Sequence, residues 1–200
     1  MKPLLETILS RKLHDPKVVI YDWLKKYGIE NYTVNDKGEV DVDGNVNLAR
    51  EKLTEFPSFI QFGTVKGDFI CNYNLLTTLE GAPKKVGGNF LCYSNNLTTL
   101  EGAPREITGR FDCSYNDLTS LEGAPKKVGK SFYCYHNHLT TLKGSPEKVG
   151  GDFKCYENKL TTLKGAPREV GGWFDCSFNK TQFTKEDVKK VCNVLMYINV

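Results

Sequence analysis

The chain is poor in histidine, has no long apolar run and carries little net charge, and each shortage closes off a class of function. It holds three histidines in 200 residues, so the side chain that most often serves as general base or metal ligand is scarce. His14 stands alone near a predicted helix end. His136 and His138 straddle Asn137; Asp117 or Glu157 could approach them as a third ligand, but two exposed polar histidines in one repeat is the simpler reading, and no metal site is expected. No apolar stretch approaches the ~20 residues that span a bilayer. The opening MKPLLETILSRKLHDPK is broken by Glu6, Arg11 and Lys12, unlike the apolar core of a signal peptide. A cytoplasmic protein with no membrane partner is expected. Net charge is +3, and neither the first 43 residues (7 basic, 8 acidic), nor residues 44–179 (16 and 14), nor the tail from Lys180 (4 and 2) shows the basic stripe that phosphate binding requires. There is no glycine-rich phosphate loop, nucleophile elbow or paired-cysteine motif. The chain is therefore expected not to be an enzyme, with no catalytic residue and no cofactor.

What the chain has is repetition. Cys71, Cys92, Cys113, Cys134, Cys155 and Cys176 fall one every 21 residues, each inside the phrase G-x-F-x-C-x-x-N-x-L-T-x-L-x-G-A/S-P-x-x-V/I. Repeats of this length make solenoids, in which no unit buries its own apolar face and neighbours must stack. A degenerate opening copy places Val46 and Leu48 at the Phe and Cys positions, Leu53 and Phe56 at the leucine positions and Val65 at the valine position, with about two residues inserted around Ser58–Phe62.

Within one copy the pattern assigns directions. Phe90 and Cys92 are two apart, so in an extended segment both point inward while Asn89, Leu91 and Tyr93 point outward. One short strand per repeat is predicted. Leu97, Leu100 and Ile107 turn inward from a return path. Gly102 and Pro104 leave that path no room for a helix, so an irregular or polyproline-like side is expected. Asn74, Asn95, Asn116, Asn137, Asn158 and Asn179 recur where the chain leaves the strand, and an amide that both donates and accepts suits a structural ladder there. Stacked at about 4.8 Å, the six sulfurs would form a line of roughly 24 Å, which suits neither a disulfide framework nor tetrahedral zinc, so reduced core thiols are predicted.

Three segments follow. Residues 1–43 read as an amino-terminal cap: a helix over Pro3–Leu13, a second from Asp15 and Pro16 through Val18, Val19, Trp23 and Leu24 to a stop at Gly28, then a hairpin of Tyr32–Val34 and Val40–Val42 around Asn35–Gly38. Residues 44–179 are the solenoid. Residues 180–200 read as a capping helix opened by Thr184 and Asp187, with Val188, Val191, Cys192, Leu195 and Met196 on one face.

From Gly44 to Asn179 these phrases resemble the leucine-rich repeat, in which strand residues, an asparagine and further leucines recur every twenty-odd residues. The N-x-L-T-x-L and LEGAP phrases look like those of leucine-rich repeat proteins of tailed phages and their bacterial relatives, although Phe and Cys stand here where strand leucines are usual. The resemblance implies an α+β repeat fold, a leucine-rich-repeat solenoid capped at both ends. It also implies a binding scaffold whose protein partner belongs to the host, such as a component of antiviral defence that is blocked by occlusion.

The outward positions vary while the inward ones do not, and the variation is aromatic. Tyr93, Tyr115, Tyr133, Tyr135, His136 and Tyr156, with Trp173 at the rim, are the candidate partner-binding residues on a concave face, because exposed tyrosine offers large contact area at low entropy cost. The competing explanation is strand propensity alone. A virion or assembly component, forming homo-oligomers through the same face or its edges, is the alternative function. Single-stranded nucleic acid is a weaker one, because lysine and arginine do not interleave with these tyrosines in the sequence.

Overall fold

The computed structural model describes residues 16–200; the expected helix over Pro3–Leu13, the Asp15 cap and His14 lie outside them. Helix α1 (Pro16–Lys26) buries Ile20, Trp23 and Leu24, and it stops at Gly28, whose φ is 61°. There the N–H of Ile29 donates to the Leu24 carbonyl at 2.9 Å and that of Gly28 to Lys25 at 3.1 Å, the paired reverse bonds of a Schellman stop. The hairpin of β1 (Tyr32–Val34) and β2 (Glu39–Val42) follows. Asn35 shapes its turn by accepting the N–H groups of Lys37 and Glu39.

From β2 onward the chain is a repeat solenoid of about eight turns. Each turn contributes two strands of about two residues. One sheet runs in order through β1, β2, β4 (Gln61–Val65), β6 (Lys85–Val86), β8 (Glu106–Ile107), β10 (Lys127–Val128), β12 (Lys148–Val149), β14 (Glu169–Val170) and β16 (Asn193–Val194), and the other through the odd-numbered strands from β3 (Val46–Asn47) to β17 (Ile198–Asn199). All pairings are parallel except β1 with β2. The expectation of one strand per repeat is thus half of what forms. Phe69–Ile70 (β5), Phe90–Leu91 (β7), Phe111–Asp112 (β9), Phe132–Tyr133 (β11), Phe153–Lys154 (β13) and Phe174–Asp175 (β15) make the expected sheet, together with β3 (Val46–Asn47). The valine or isoleucine that ends each return path, as in Lys85–Val86 (β6) and Glu106–Ile107 (β8), makes the other. The reason is register. A strict 21-residue period places identical backbone over identical backbone, so even a two-residue extended piece gains a ladder on both sides. In this sheet Val128 pairs with Ile107, and Val149 with Val170.

Glycines permit that closeness. A Cβ on Gly102 would lie 2.5 Å from the Leu79 carbonyl carbon of the preceding coil, and its φ is 86°, a region that side chains other than glycine's rarely enter. The degenerate first copy aligns as the sequence suggests: Val46 pairs with Phe69 and Val65 with Val86. Its inserted residues lead into the longer strand β4 (Gln61–Val65), and a register irregularity falls between Val40 and Val42.

The core is a set of columns. The rings of Phe69, Phe90, Phe111, Phe132, Phe153 and Phe174 succeed one another at 5.2–5.7 Å, and all are fully buried. Each contributes on the order of 2–3 kcal/mol by burial. The six repeat cysteines run beside them as buried free thiols. Burial pushes their pKa values up, to about 12 at Cys176 and well above the ordinary thiol range at Cys92 and Cys113. Several thiols donate to a carbonyl of the next coil, as Cys92 does to Asp112 at 3.4 Å.

The asparagine ladder forms with both ends of the amide in use. Asn95 accepts the Leu76 N–H at 3.0 Å and donates to the carbonyls of Cys71 and Cys92, both at 3.0 Å. The same set recurs at Asn116, Asn137 and Asn158. A second ladder, one residue before each Phe, was not anticipated. Asp68 accepts the N–H of Asn89, Asn89 that of Arg110, Ser131 that of Asp152, and Asp152 that of Trp173. The signal was the short polar residue at four of these positions.

The carboxy-terminal expectation needs correction. Thr184 and Asp187 do form a capping box, but helix α2 covers only Lys185–Lys189. Val191, Leu195 and Met196 are exposed, not one face of a longer helix. The chain instead builds one more degenerate coil: β16 (Asn193–Val194) extends the first sheet and β17 (Ile198–Asn199) the second. The spacing shows it in hindsight, because Val194 to Ile198 repeats the four-residue step from Val170 to Phe174. Helical periodicity and this step compete over the same residues, and parallel pairing to the preceding coil won.

Candidate functional site

The outward residues of the second sheet leave the strand almost at once. Tyr73, Ser94, Tyr115, His136, Glu157 and Phe178 all have φ between 50° and 54°, so they sit on a left-handed turn directly before the ladder asparagine and not on a strand as expected. Left-handed backbone costs a residue with a side chain roughly 1 kcal/mol. Here the cost is offset by a bond to the next coil, such as Tyr115 N–H to the Tyr135 carbonyl at 3.1 Å, and by the ladder asparagine that follows.

Five of the seven candidate residues come together in one block, Tyr115 and His136 from such turns, Tyr133 from β11, and Tyr135 and Tyr156 from the positions just before the turn. Tyr115 stacks on His136 with centroids 4.3 Å apart, and Tyr135 on Tyr156 at 4.4 Å. The two stacks meet at right angles: Tyr115 and Tyr135 are 5.5 Å apart with planes at 81°. Tyr133 joins at 6.1 Å from Tyr135. The other two candidates lie apart. Tyr93 packs edge-on against Tyr73 at 5.2 Å, and Tyr73, half exposed, belongs to that pair although it was not singled out. Trp173 packs on Tyr197 at 5.3 Å, toward the carboxy-terminal end.

Four outward positions prove buried: Asn72, Asp112, Ser114 and Ser177. Asp112 accepts both the Ser114 hydroxyl at 2.6 Å and its N–H at 3.2 Å. Burial raises the Asp112 pKa, while the Ser114 bonds and the charges of Arg110 and Lys154 oppose the rise. Asp175 and Ser177 repeat the motif. Burial, followed by the charge of Tyr135 and a hydrogen bond with it, holds the Tyr156 phenol well above its ordinary range.

Cations do reach this face, contrary to the reading of the linear sequence. Arg110 and Lys154 lie 5.2 and 4.9 Å from the Tyr133 centroid, and Arg50 lies 4.6 Å from that of Tyr73. All three come from other coils, so no local window shows them beside a tyrosine. The outer side of the first sheet likewise aligns Lys84, Lys85, Arg105, Lys126, Lys127 and Arg168, all exposed. Lys85–Glu106 at 3.0 Å and Lys148–Glu169 at 2.7 Å neutralise part of that side. Lys84 is likewise paired with Glu39, and Glu147 shares the side, so it is mixed in charge and not a basic stripe. On the return path the column Glu80, Glu101, Glu122, Lys143 and Lys164, one residue every 21, changes sign at a pair, Glu122 to Lys143 at 2.7 Å, whose hydrogen bond holds the Glu122 carboxyl below its usual range.

The histidines face opposite ways. His136 Nε2 pairs with Glu157 of the following coil and His138 Nε2 lies 3.4 Å from Asp117 of the preceding one. Among the described residues no group of three or more His, Cys, Asp or Glu could hold a metal ion, and no helix is long and apolar enough to cross a membrane. Compared with family models, with curated proteins and with solved structures, the chain finds no match in any of the three.

Proposed function

We propose that this chain is a protein-binding scaffold of the leucine-rich-repeat kind, without catalytic activity of its own, which engages its partner through the tyrosine face of the second sheet. The observation that carries the reading is the block of Tyr115, Tyr133, Tyr135, His136 and Tyr156. Five rings are held on a repetitive backbone, Tyr115 and His136 by left-handed turns and Tyr133 by a strand, on a side that the core does not use. Rigid aromatic groups with little entropy left to lose are what interface hot spots are made of. On the likeness of its repeats to phage proteins, the partner is a host protein in the bacterial cytoplasm, sequestered by occlusion.

The test is affinity capture from a bacterial lysate, with the native chain beside a Tyr93, Tyr135 and Tyr156 triple alanine variant whose circular dichroism and thermal melt match it. One protein retained by the first and lost from the second supports the reading. Equal capture by both removes the tyrosine face from it.

Arg50, Arg110 and Lys154 on Tyr73 and Tyr133 favour one second reading, a surface for single-stranded nucleic acid, where bases stack on aromatic rings and cations follow the backbone. Binding of a labelled oligonucleotide that weakens steeply with salt, and is lost in the same variant, would put this reading first.

A further inference from the structure

We propose, resting on the scaffold reading, that the partner is held by acidic side chains on an extended segment, and that Arg110, Tyr133 and Lys154 form an anion subsite for them. The cations of this solenoid fall into two kinds. Where a lysine meets a carboxylate of a neighbouring coil the two pair, as Lys85 does with Glu106 at 3.0 Å, and as Lys143 with Glu122 and Lys148 with Glu169 do at 2.7 Å. Arg50, Arg110 and Lys154 instead lie over tyrosine rings, and no ion pair holds any of them among the described residues. Asp112 feels the charges of both Arg110 and Lys154, yet it is buried and bound to Ser114.

Arg110 and Lys154 reach Tyr133 from the coils on either side of it, at 5.2 and 4.9 Å from the ring centroid. A cation held on a ring face is ordered but keeps its N–H donors to offer. An arriving carboxylate therefore meets two charges whose side chains have little entropy left to lose, with the Tyr133 phenol as a further donor.

The same face selects against the other charged occupants. A basic segment would find the carboxylates already engaged: Asp112 and Asp175 accept from Ser114 and Ser177, Glu157 pairs with His136, and Asp68 and Asp152 accept N–H groups of the next coil. A nucleic-acid strand would find ring faces turned to one another, Tyr115 on His136 and Tyr135 on Tyr156, where its bases must stack. Those carboxylates would also repel a phosphate at every nucleotide. Separate acidic side chains that land on the cations avoid both penalties.

A second anchor sets their spacing. Arg50 lies 4.6 Å from the centroid of Tyr73, which is half exposed and three coils before Tyr133. Three coils at about 4.8 Å are roughly 14 Å along the stack. Four or five residues of extended chain cover that span together with the sideways step from turn to strand, so one acidic residue at each anchor places them four or five apart.

Peptide display on the full chain tests this. Random peptides selected on the immobilised native chain, and counter-selected on an Arg110→Gln, Lys154→Gln variant that melts as the native chain does, should be enriched in Asp and Glu spaced four or five apart. The leading peptide should bind that variant at least about tenfold more weakly, and Lys154→Gln alone should lie between. Raising salt from about 0.15 to about 1 M should weaken binding to the native chain far more than to the variant. Neutral or basic peptides that are lost in the Tyr93, Tyr135 and Tyr156 alanine variant would overturn the anion subsite and leave the scaffold reading standing. Peptides indifferent to both sets of substitutions, an empty selection, or a labelled oligothymidylate bound in preference to every peptide would overturn both.

Discussion

Tyr135 and Tyr156 come from adjacent coils, and their rings lie 4.4 Å apart with planes 9° from parallel. The 21-residue period sets that distance. A coil rises by one strand spacing, so like residues at like positions must stack or clash. Tyrosine at successive copies of one position is therefore a way of building a flat, rigid aromatic surface.

That stack has a spectroscopic consequence. Burial first, then the charge of Tyr135 and its hydrogen bond, hold the Tyr156 phenol above its ordinary range. In an ultraviolet pH titration one phenol should ionise well after the others, and Tyr135→Phe should move that last step downward by removing the hydroxyl that opposes it. A late step unchanged in Tyr135→Phe would mean that the stack does not govern Tyr156.

The asparagine ladder should be graded along its length. Asn116 is buried; it accepts the Leu97 N–H at 2.9 Å and donates to the carbonyls of Cys92 and Cys113, both at 3.1 Å. Alanine there strands a buried N–H and leaves the carbonyls short of a donor, a loss on the order of 3 kcal/mol. Asn179 has the same bonds but is only half-buried, and water can replace part of what its removal takes away. Urea unfolding should show Asn116→Ala clearly less stable than Asn179→Ala. Equal losses would show that the ladder is not the source.

These ladders also show what was legible and why. The asparagines, the Phe and Cys columns and the first degenerate copy could be read because each is a residue type repeating at one address. The first sheet was missed because its short strands hold a single inward residue, such as Val86 or Ile107, and two residues have no alternation to detect. The final coil was missed because Val191, Leu195 and Met196 imitate a helix period. The burial of Asp112 and the cations around Tyr133 depend on neighbours one or two coils away. The tyrosines themselves stand out in the sequence, but only the folded chain sorts them into a five-ring block, a pair with Tyr73, and a tryptophan that belongs with Tyr197.

The return-path glycines give a sharper stability test. A Cβ at Gly102 would meet the Leu79 carbonyl carbon at 2.5 Å, at a φ of 86°, whereas one at Gly28, φ 61°, meets nothing within 4 Å. Gly28→Ala should therefore cost about 1 kcal/mol, the backbone penalty alone. Gly102→Ala adds a backbone clash that only separation of two coils can relieve, and should cost about 3 kcal/mol or more. Thermal or urea melts that rank the two equally would show that the coils are less tightly stacked than described.

Asp112 supplies a pH test whose sign follows from its burial. Its folded pKa is raised above the unfolded value, chiefly by loss of water, with the Ser114 bonds and Arg110 opposing. A carboxyl with a raised folded pKa binds more protons in the folded chain, so its stabilising contribution is complete below the unfolded value near 3.9 and declines as pH rises through the folded one. Asp112→Asn keeps an oxygen to accept from Ser114 and removes the buried charge. At neutral pH this variant should melt at the same temperature as the native chain or higher, and below about pH 3.5 the advantage should vanish because the native carboxyl is then neutral too. A variant less stable at neutral pH, by an amount that stays the same in acid, would mean that the carboxylate is held by its neighbours and that its burial carries no electrostatic cost.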